Sequence, residues 1–173
     1  MSCNTSRLRI ALPRFLRIRD ARRGGHRWRK GGPVALEVDW KSLRDKAFDA
    51  MGAAYAPYSG FPVGAAAIVD DGRFVTGCNV ENVSYGLGLC AECVLAGSLC
   101  TTGGGRLIAL SCTDSRGEIL MPCGRCRQVL LEHGGPDMLI DHPDGPKSLG
   151  ELLPDHFGPS DLAAGRVSGD ARG

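Results

Sequence analysis

Long uncharged apolar stretches are missing from this chain of 173 residues. No run approaches the roughly 18 residues that a membrane span requires. No uninterrupted apolar segment of about 7–15 residues follows the early charges, which argues against a secretory signal. Internal repeats are absent, and the one low-complexity stretch is Gly103-Gly104-Gly105. Basic residues are sparse outside the first 32 positions. Residues 1–32 hold ten Lys/Arg and one acid, a net of +9, and the remainder holds 11 Lys/Arg and 18 Asp/Glu, a net of −7. The bland formal charge of +2 therefore averages an acidic body and a basic leader. The body lacks the clustered Arg and Lys that a nucleic-acid groove needs.

What is present excludes other classes. Hydrophobic residues at 43% and charged residues at 23% lie near globular values, which rules out wholesale disorder and a fibrous chain. The length indicates one domain of about 100–200 residues with extensions. The Arg-rich leader has the composition of an organellar transit peptide or a nucleic-acid or membrane-binding arm. Pro13, Gly24-Gly25 and Gly31-Gly32-Pro33 break any helix in it, and the reading adopted is a disordered, dispensable extension over residues 1–33.

Eight cysteines form the next signal. Disulfide scaffolds usually run under about 100 residues and are poor in core residues, whereas this chain is longer and rich in Ala, Val and Leu. Metal ligation or reduced thiols in a cytosolic protein fit better.

From Val38 the pattern becomes regular. Asp39 caps a helix with apolar positions Trp40, Leu43, Ala47, Ala50, Met51 and Ala54, closed by Tyr55-Ala56-Pro57. Phe61–Val69 reads as a strand, Asp70-Asp71-Gly72 as a hairpin turn, and Arg73–Cys78 as its antiparallel partner. Residues 79–89 read as a loop, Cys90–Cys100 as a buried helix ending at the glycine triplet, and Arg106–Thr113 as a strand. Pro122–His133 is a helix with Pro at its start, and Asp137–Asp141 is a further strand. The order α-β-β-α-β-α-β predicts a three-layer α/β/α sandwich with a mixed central sheet.

Two helix starts carry the chemistry: Cys90-Ala91-Glu92 and Pro122-Cys123-Gly124-Arg125-Cys126. Cysteines three apart share a helix face with Cβ atoms about 5–6 Å apart, so both sulfurs can reach one metal at roughly 2.3 Å. Cys90 supplies a third thiolate, and helix N-termini favour ionised sulfur. Three protein ligands leave a tetrahedral Zn²⁺ one open position, the arrangement of a catalytic site. Glu92 stands two places from one ligand and can take a proton from water there. A structural zinc knot closed by His133 or His142, with Glu92 on the surface, is the alternative reading of the same residues.

A His- or Cys-x-Glu followed by Pro-Cys-x-x-Cys is the signature of zinc nucleobase deaminases. From about Val38 to Leu162 the chain resembles the small, homotetrameric, zinc-dependent cytidine deaminases of the cytidine and deoxycytidylate deaminase family. The resemblance extends to Tyr58-Ser59-Gly60-Phe61-Pro62-Val63-Gly64-Ala65-Ala66, Gly77-Cys78-Asn79-Val80-Glu81-Asn82, Leu87–Glu92, Met121–Gln128 and Leu152–Pro159. It implies one Zn²⁺ per subunit on Cys90, Cys123 and Cys126, with Glu92 as the catalytic proton shuttle. It implies Phe61 stacked on the pyrimidine, Asn79 and Glu81 on the ribose hydroxyls, Ala91 and Tyr85 as further substrate contacts, and Phe157 reaching a neighbouring subunit's pocket. The implied reaction converts free cytidine or 2′-deoxycytidine to the uracil nucleoside and ammonia, in cytoplasmic pyrimidine salvage, with neither nucleic acid nor membrane as partner. The expected divisions are an extension over 1–33, a catalytic domain over 34–162 and a flexible tail over 163–173.

Two rivals follow from the same residues: a single-stranded nucleic-acid cytosine deaminase, and a zinc-stabilised nucleic-acid-binding module using the leader. One departure from the family pattern stands out. Many members carry Arg directly after the catalytic Glu, and this chain has Cys93. Three thiolates and one Zn²⁺ sum to −1, so helix dipoles with Arg125 or Arg127 are expected to offset that charge.

Overall fold

Asp39 accepts a hydrogen bond from the Ser42 backbone N–H at 3.0 Å, closing the free end of helix α1, Trp40–Met51. The computed structural model describes residues 37–164. The segment 1–33 and all but the first two residues of 163–173 lie outside the described residues. In α1, Leu43 and Ala47 are four apart and fully buried; truncating a buried Leu to Ala costs about 2–5 kcal/mol. The helix stops at Met51, earlier than the apolar spacing predicts. Tyr55 is drawn into a bridge with Val80, its N–H donating to the Asn79 carbonyl at 3.0 Å.

The sheet contains β1 (Val63–Val69), β2 (Phe74–Cys78), β3 (Leu107–Asp114), β4 (Leu139–Ile140) and β5 (Lys147–Ser148), in the order β2-β1-β3-β4-β5. β1 runs antiparallel to β2 and β3, β3 is parallel to β4, and β4 is antiparallel to β5, so the sheet is mixed as expected. The predicted hairpin forms, with Gly72 at φ +87° in its turn.

Period-2 alternation divides the core between two faces. Ala66 and Ala109 pack with Leu43 and Ala47 of α1. Ala65, Ala67, Val69 and Leu110 pack on the other side with Leu95 and Leu99 of α2 (Ala91–Thr101) and Leu130 and Leu131 of α3 (Gly124–Gly134). This is the predicted three-layer α/β/α sandwich.

The helices that carry the motifs begin one or two residues later than the sequence suggests. Cys90 and Cys123 are extended, at φ/ψ of −69°/157° and −65°/166°, and occupy the N-cap positions of α2 and α3. Pro122 therefore precedes the cap instead of opening the helix. β4 covers two residues where five were expected. Beyond it, the buried Asp141 carboxylate turns to Arg44 Nε and Nη2 at 2.6 and 2.8 Å and to Ser111 Oγ at 2.8 Å. Four elements were not anticipated: a 3₁₀ turn at Tyr85–Leu87 within the expected loop, β5, α4 (Leu149–Leu152) and α5 (Pro159–Ala164).

One glycine decides where α2 lies. A Cβ on Gly77 of β2 would sit 2.4 Å from the Leu95 nitrogen and 2.5 Å from the Ala91 oxygen, both backbone. Only glycine lets the first turn of α2, and with it Cys90 and Glu92, rest directly on the strand.

Candidate active site

The N-cap cysteines of α2 and α3 meet. Sγ of Cys90, Cys123 and Cys126 all lie within 4.8 Å of one another, the one such group of three or more His, Cys, Asp or Glu among the described residues. Tetrahedral zinc at about 2.3 Å from sulfur spaces its ligands roughly 3.8 Å apart, so the cluster has the right size and chemistry for the ion. Neither Cys90 nor Cys123 uses its side chain to cap its helix, which leaves both sulfurs for ligation. No histidine joins the group, and His142 instead accepts the Asp144 N–H at 3.1 Å. The closed structural knot is thus not formed among the described residues.

The thiols respond differently to their surroundings. Burial pushes Cys90 and Cys126 up. Cys123 is pulled down, because hydrogen bonds from the Cys126 backbone N–H and from the Cys126 and Cys90 side chains outweigh its desolvation. Zinc ligation requires thiolates, so binding must release protons from the raised pair.

Glu92 lies in the first turn of α2 and is only 5% exposed. The alternative that places it on the surface fails on this burial. Desolvation raises its pKa above the ordinary 4.5, opposed by hydrogen bonds from its own backbone N–H and from the Cys126 side chain. A buried carboxylate beside three metal-ligand sulfurs is a group placed to hold a proton and return it.

Cys93, next along α2, has its Sγ 3.9 Å from Cys126 Sγ and 3.7 Å from Arg125 Nη2. Of the two expected charge-offsetting arginines, Arg125 reaches the cluster by this contact. Arg127 is committed elsewhere, donating to the carbonyls of Pro122 at 2.9 Å and Leu152 at 2.7 Å.

A cleft of about 410 Å³ is lined by Tyr58, Ser59, Glu81, Asn82, Tyr85 and Gly88. Glu81 and Tyr85 come from the expected set; Phe61, Asn79, Ala91 and Phe157 are not among its lining residues. Glu81 accepts from the N–H groups of Tyr58 at 2.9 Å and Ser59 at 3.2 Å and from the Ser59 hydroxyl, which lowers its pKa. Asn79 takes the Val63 N–H on Oδ1 at 2.9 Å and donates Nδ2 to the Phe61 carbonyl at 3.0 Å. Phe61 is 48% exposed. Ala91 is buried at the start of α2. The Phe157 carbonyl receives Gln128 Nε2 at 2.8 Å, while its ring is exposed.

Tyr58, Ser59, Asn82 and Gly88 were not singled out from the sequence as site residues. Tyr58 was legible in principle: it sits three positions from Phe61, with Gly60 at φ +64° between them, and its ring meets Tyr85 edge-on at 6.3 Å.

Residues 39–140 match the sequence profile of the cytidine and deoxycytidylate deaminase zinc-binding region. The chain belongs to that family. It is 68% identical over 126 residues to a protein named cytidine deaminase from Mycobacterium tuberculosis (strain CDC 1551 / Oshkosh), a match covering 73% of this chain and 95% of that one. The crystal structure of cytidine deaminase from Mycobacterium tuberculosis superposes with a TM-score of 0.70 at 68% identity, over 70% of this chain and 99% of that one. The corresponding structure from Mycobacterium leprae gives 0.67 at 56% identity, over 68% and 99%. The matching family model is that of a zinc-binding region, and the Cys90, Cys123 and Cys126 group fits one zinc per chain.

Proposed function

We propose that the chain catalyses zinc-dependent hydrolytic deamination of free cytidine and 2′-deoxycytidine, yielding uridine or 2′-deoxyuridine and ammonia. The observation that carries this reading is the buried carboxylate of Glu92 beside three sulfurs that lie within 4.8 Å of one another.

Cys90, Cys123 and Cys126 would hold the ion, which when bound supplies a Lewis acid that makes water nucleophilic near neutral pH. Glu92 accepts the proton of the attacking water as its oxygen adds to C4 of the cytosine ring. The proton then passes from Glu92 to N3. Glu92 next takes the proton of the new C4 hydroxyl and gives it to the C4 amino group, so that the C4 carbonyl forms as the C–N bond breaks and ammonia leaves. Burial suits Glu92 to both steps, because a raised pKa makes its carboxylate a stronger base and keeps the captured proton near until the leaving group needs it.

Substrate contacts follow the same residues. Asn79 and Glu81 each retain hydrogen-bonding capacity after their loop contacts, one N–H and one lone pair on Asn79 and a lone pair on Glu81, enough to engage ribose hydroxyls. Phe61 offers a half-exposed ring to the pyrimidine, Tyr85 stands at the cleft, and the Ala91 backbone orients the base. Phe157 extends to the pocket of another copy. Exposed Val83, Tyr85, Leu87 and Phe157 favour a homotetramer in which neighbours cover them. Conversion of a free cytosine nucleoside to its uracil counterpart suits a role in cytoplasmic pyrimidine salvage, with residues 34–162 proposed as the catalytic unit. No described helix is long and apolar enough to cross a membrane.

The test is the loss of ultraviolet absorbance on incubating the zinc-loaded protein with free cytidine, alongside single-stranded DNA and RNA. Turnover of the nucleoside alone is expected; turnover restricted to a polynucleotide would overturn the reading.

A further inference from the structure

Three thiolates on Zn²⁺ leave a net charge of −1, and Glu92 adds another negative charge when ionised. A half-buried anionic centre of this kind carries a desolvation cost unless donors or cations compensate it. Cys126 carries the greatest need, since its residue is fully buried and water cannot solvate its sulfur.

The donor beside it is Cys93. As a metal ligand Cys126 has no proton to give, so in the 3.9 Å contact between the two sulfurs Cys93 must donate its S–H. The Cys93 sulfur in turn accepts from Arg125 Nη2 at 3.7 Å. Guanidinium, thiol and thiolate thus form a single chain from the surface to the buried ligand, because Arg125 is exposed and Cys93 half-buried. Arg127 cannot substitute, its Nε and Nη1 being held by backbone carbonyls.

We infer that Arg125 and Cys93 are a positioning pair for the metal centre: Arg125 orients and polarises the Cys93 thiol, whose S–H draws charge from the Cys126 thiolate. The pair keeps the ion bound and preserves its acidity toward water. Outer partners of metal ligands commonly act in this way. The inference rests on the zinc-deaminase reading above, and its test separates the two.

The full-length protein is loaded with Co²⁺ in place of zinc, and the sulfur-to-cobalt charge-transfer band is recorded for the unaltered chain, Arg125→Gln, Arg125→Lys, Cys93→Ala and the Arg125→Gln/Cys93→Ala double variant. Zinc affinity is measured in parallel by chelator competition. Both neutralising single variants should move the band to longer wavelength, because a thiolate that loses a donor becomes richer in electrons. Each should also weaken zinc binding by about 10–100-fold, and kcat should fall with little change in KM. The double variant should be no worse than Cys93→Ala, since both act through one sulfur, and Arg125→Lys should restore part of the loss. Unmoved bands and unchanged affinity in both single variants would overturn the pair. So would losses that multiply in the double variant, which would show two independent effects. Absence of any thiolate band in the unaltered protein would overturn the metal site itself, and this inference with it.

Discussion

Asn79 Nδ2 donates to the carbonyl of Phe61 across 18 positions of chain, at 3.0 Å, while its Oδ1 accepts the Val63 N–H at 2.9 Å. The residue assigned to the ribose therefore also fixes the backbone that presents the aromatic ring. Asn79→Ala removes both contacts, each of about 0.5–1.5 kcal/mol, together with any ribose contact. We expect the thermal midpoint to fall and KM for cytidine to rise by about 10–100-fold, more than kcat falls. A change in KM without loss of stability would show that the loop does not depend on this side chain.

Gly77→Ala should damage the site without touching a reacting group. The added methyl meets backbone atoms of α2 at 2.4 and 2.5 Å, and rigid backbone cannot yield as a side-chain tip would. The helix must shift, at a cost of about 1–3 kcal/mol, carrying Cys90 away from Cys123 and Cys126. Substoichiometric zinc and a lowered melting temperature are the expected results. Full zinc occupancy with unchanged turnover would show that α2 tolerates displacement.

The raised pKa of Glu92 gives two pH effects of defined sign. Its ionised form accepts the proton, so kcat/KM should fall on the acid side as Glu92 becomes protonated. In the metal-free protein, a carboxyl raised by burial adds stability that is complete below its unfolded pKa and is lost as pH rises through the folded one. Metal-free Glu92→Gln should accordingly melt higher than the unaltered chain at neutral pH, and the two should converge in acid. Differential melts across this window check the second effect; pH–rate profiles check the first.

Removal of residues 1–32 should leave kcat/KM for cytidine within about twofold and zinc occupancy intact. The family match spans residues 39–140, and every proposed site residue lies beyond the leader. A large loss of activity in the shortened chain would assign the basic segment a part in catalysis or folding.

Much of this was legible in the residues. Leu43 and Ala47 announce a buried helical face, the β1–β2 hairpin follows from Asp70-Asp71-Gly72, and the two cysteine motifs fall at helix starts, with Cys90 and Cys123 at the N-caps and Cys126 in the first turn of α3. Helix ends were less legible, since Met51 is followed by Tyr55 pairing with Val80, a tertiary contact that periodicity does not encode. α4 carried a readable sign that went unused: Ser148 and Glu151 form a reciprocal capping box. A two-residue strand such as β5 is too short to leave a pattern. The link from Arg125 through Cys93 to Cys126 joins two helices and depends on their packing, so sequence could name Arg125 only alongside Arg127.

The account rests most heavily on Glu92 as the proton carrier of a zinc centre that exists without it. Glu92→Gln, nearly isosteric with Glu, should retain one zinc per chain while cytidine turnover, followed by absorbance loss, falls by about 10²–10⁴-fold. Turnover within tenfold of the unaltered enzyme, with zinc fully bound, would contradict it.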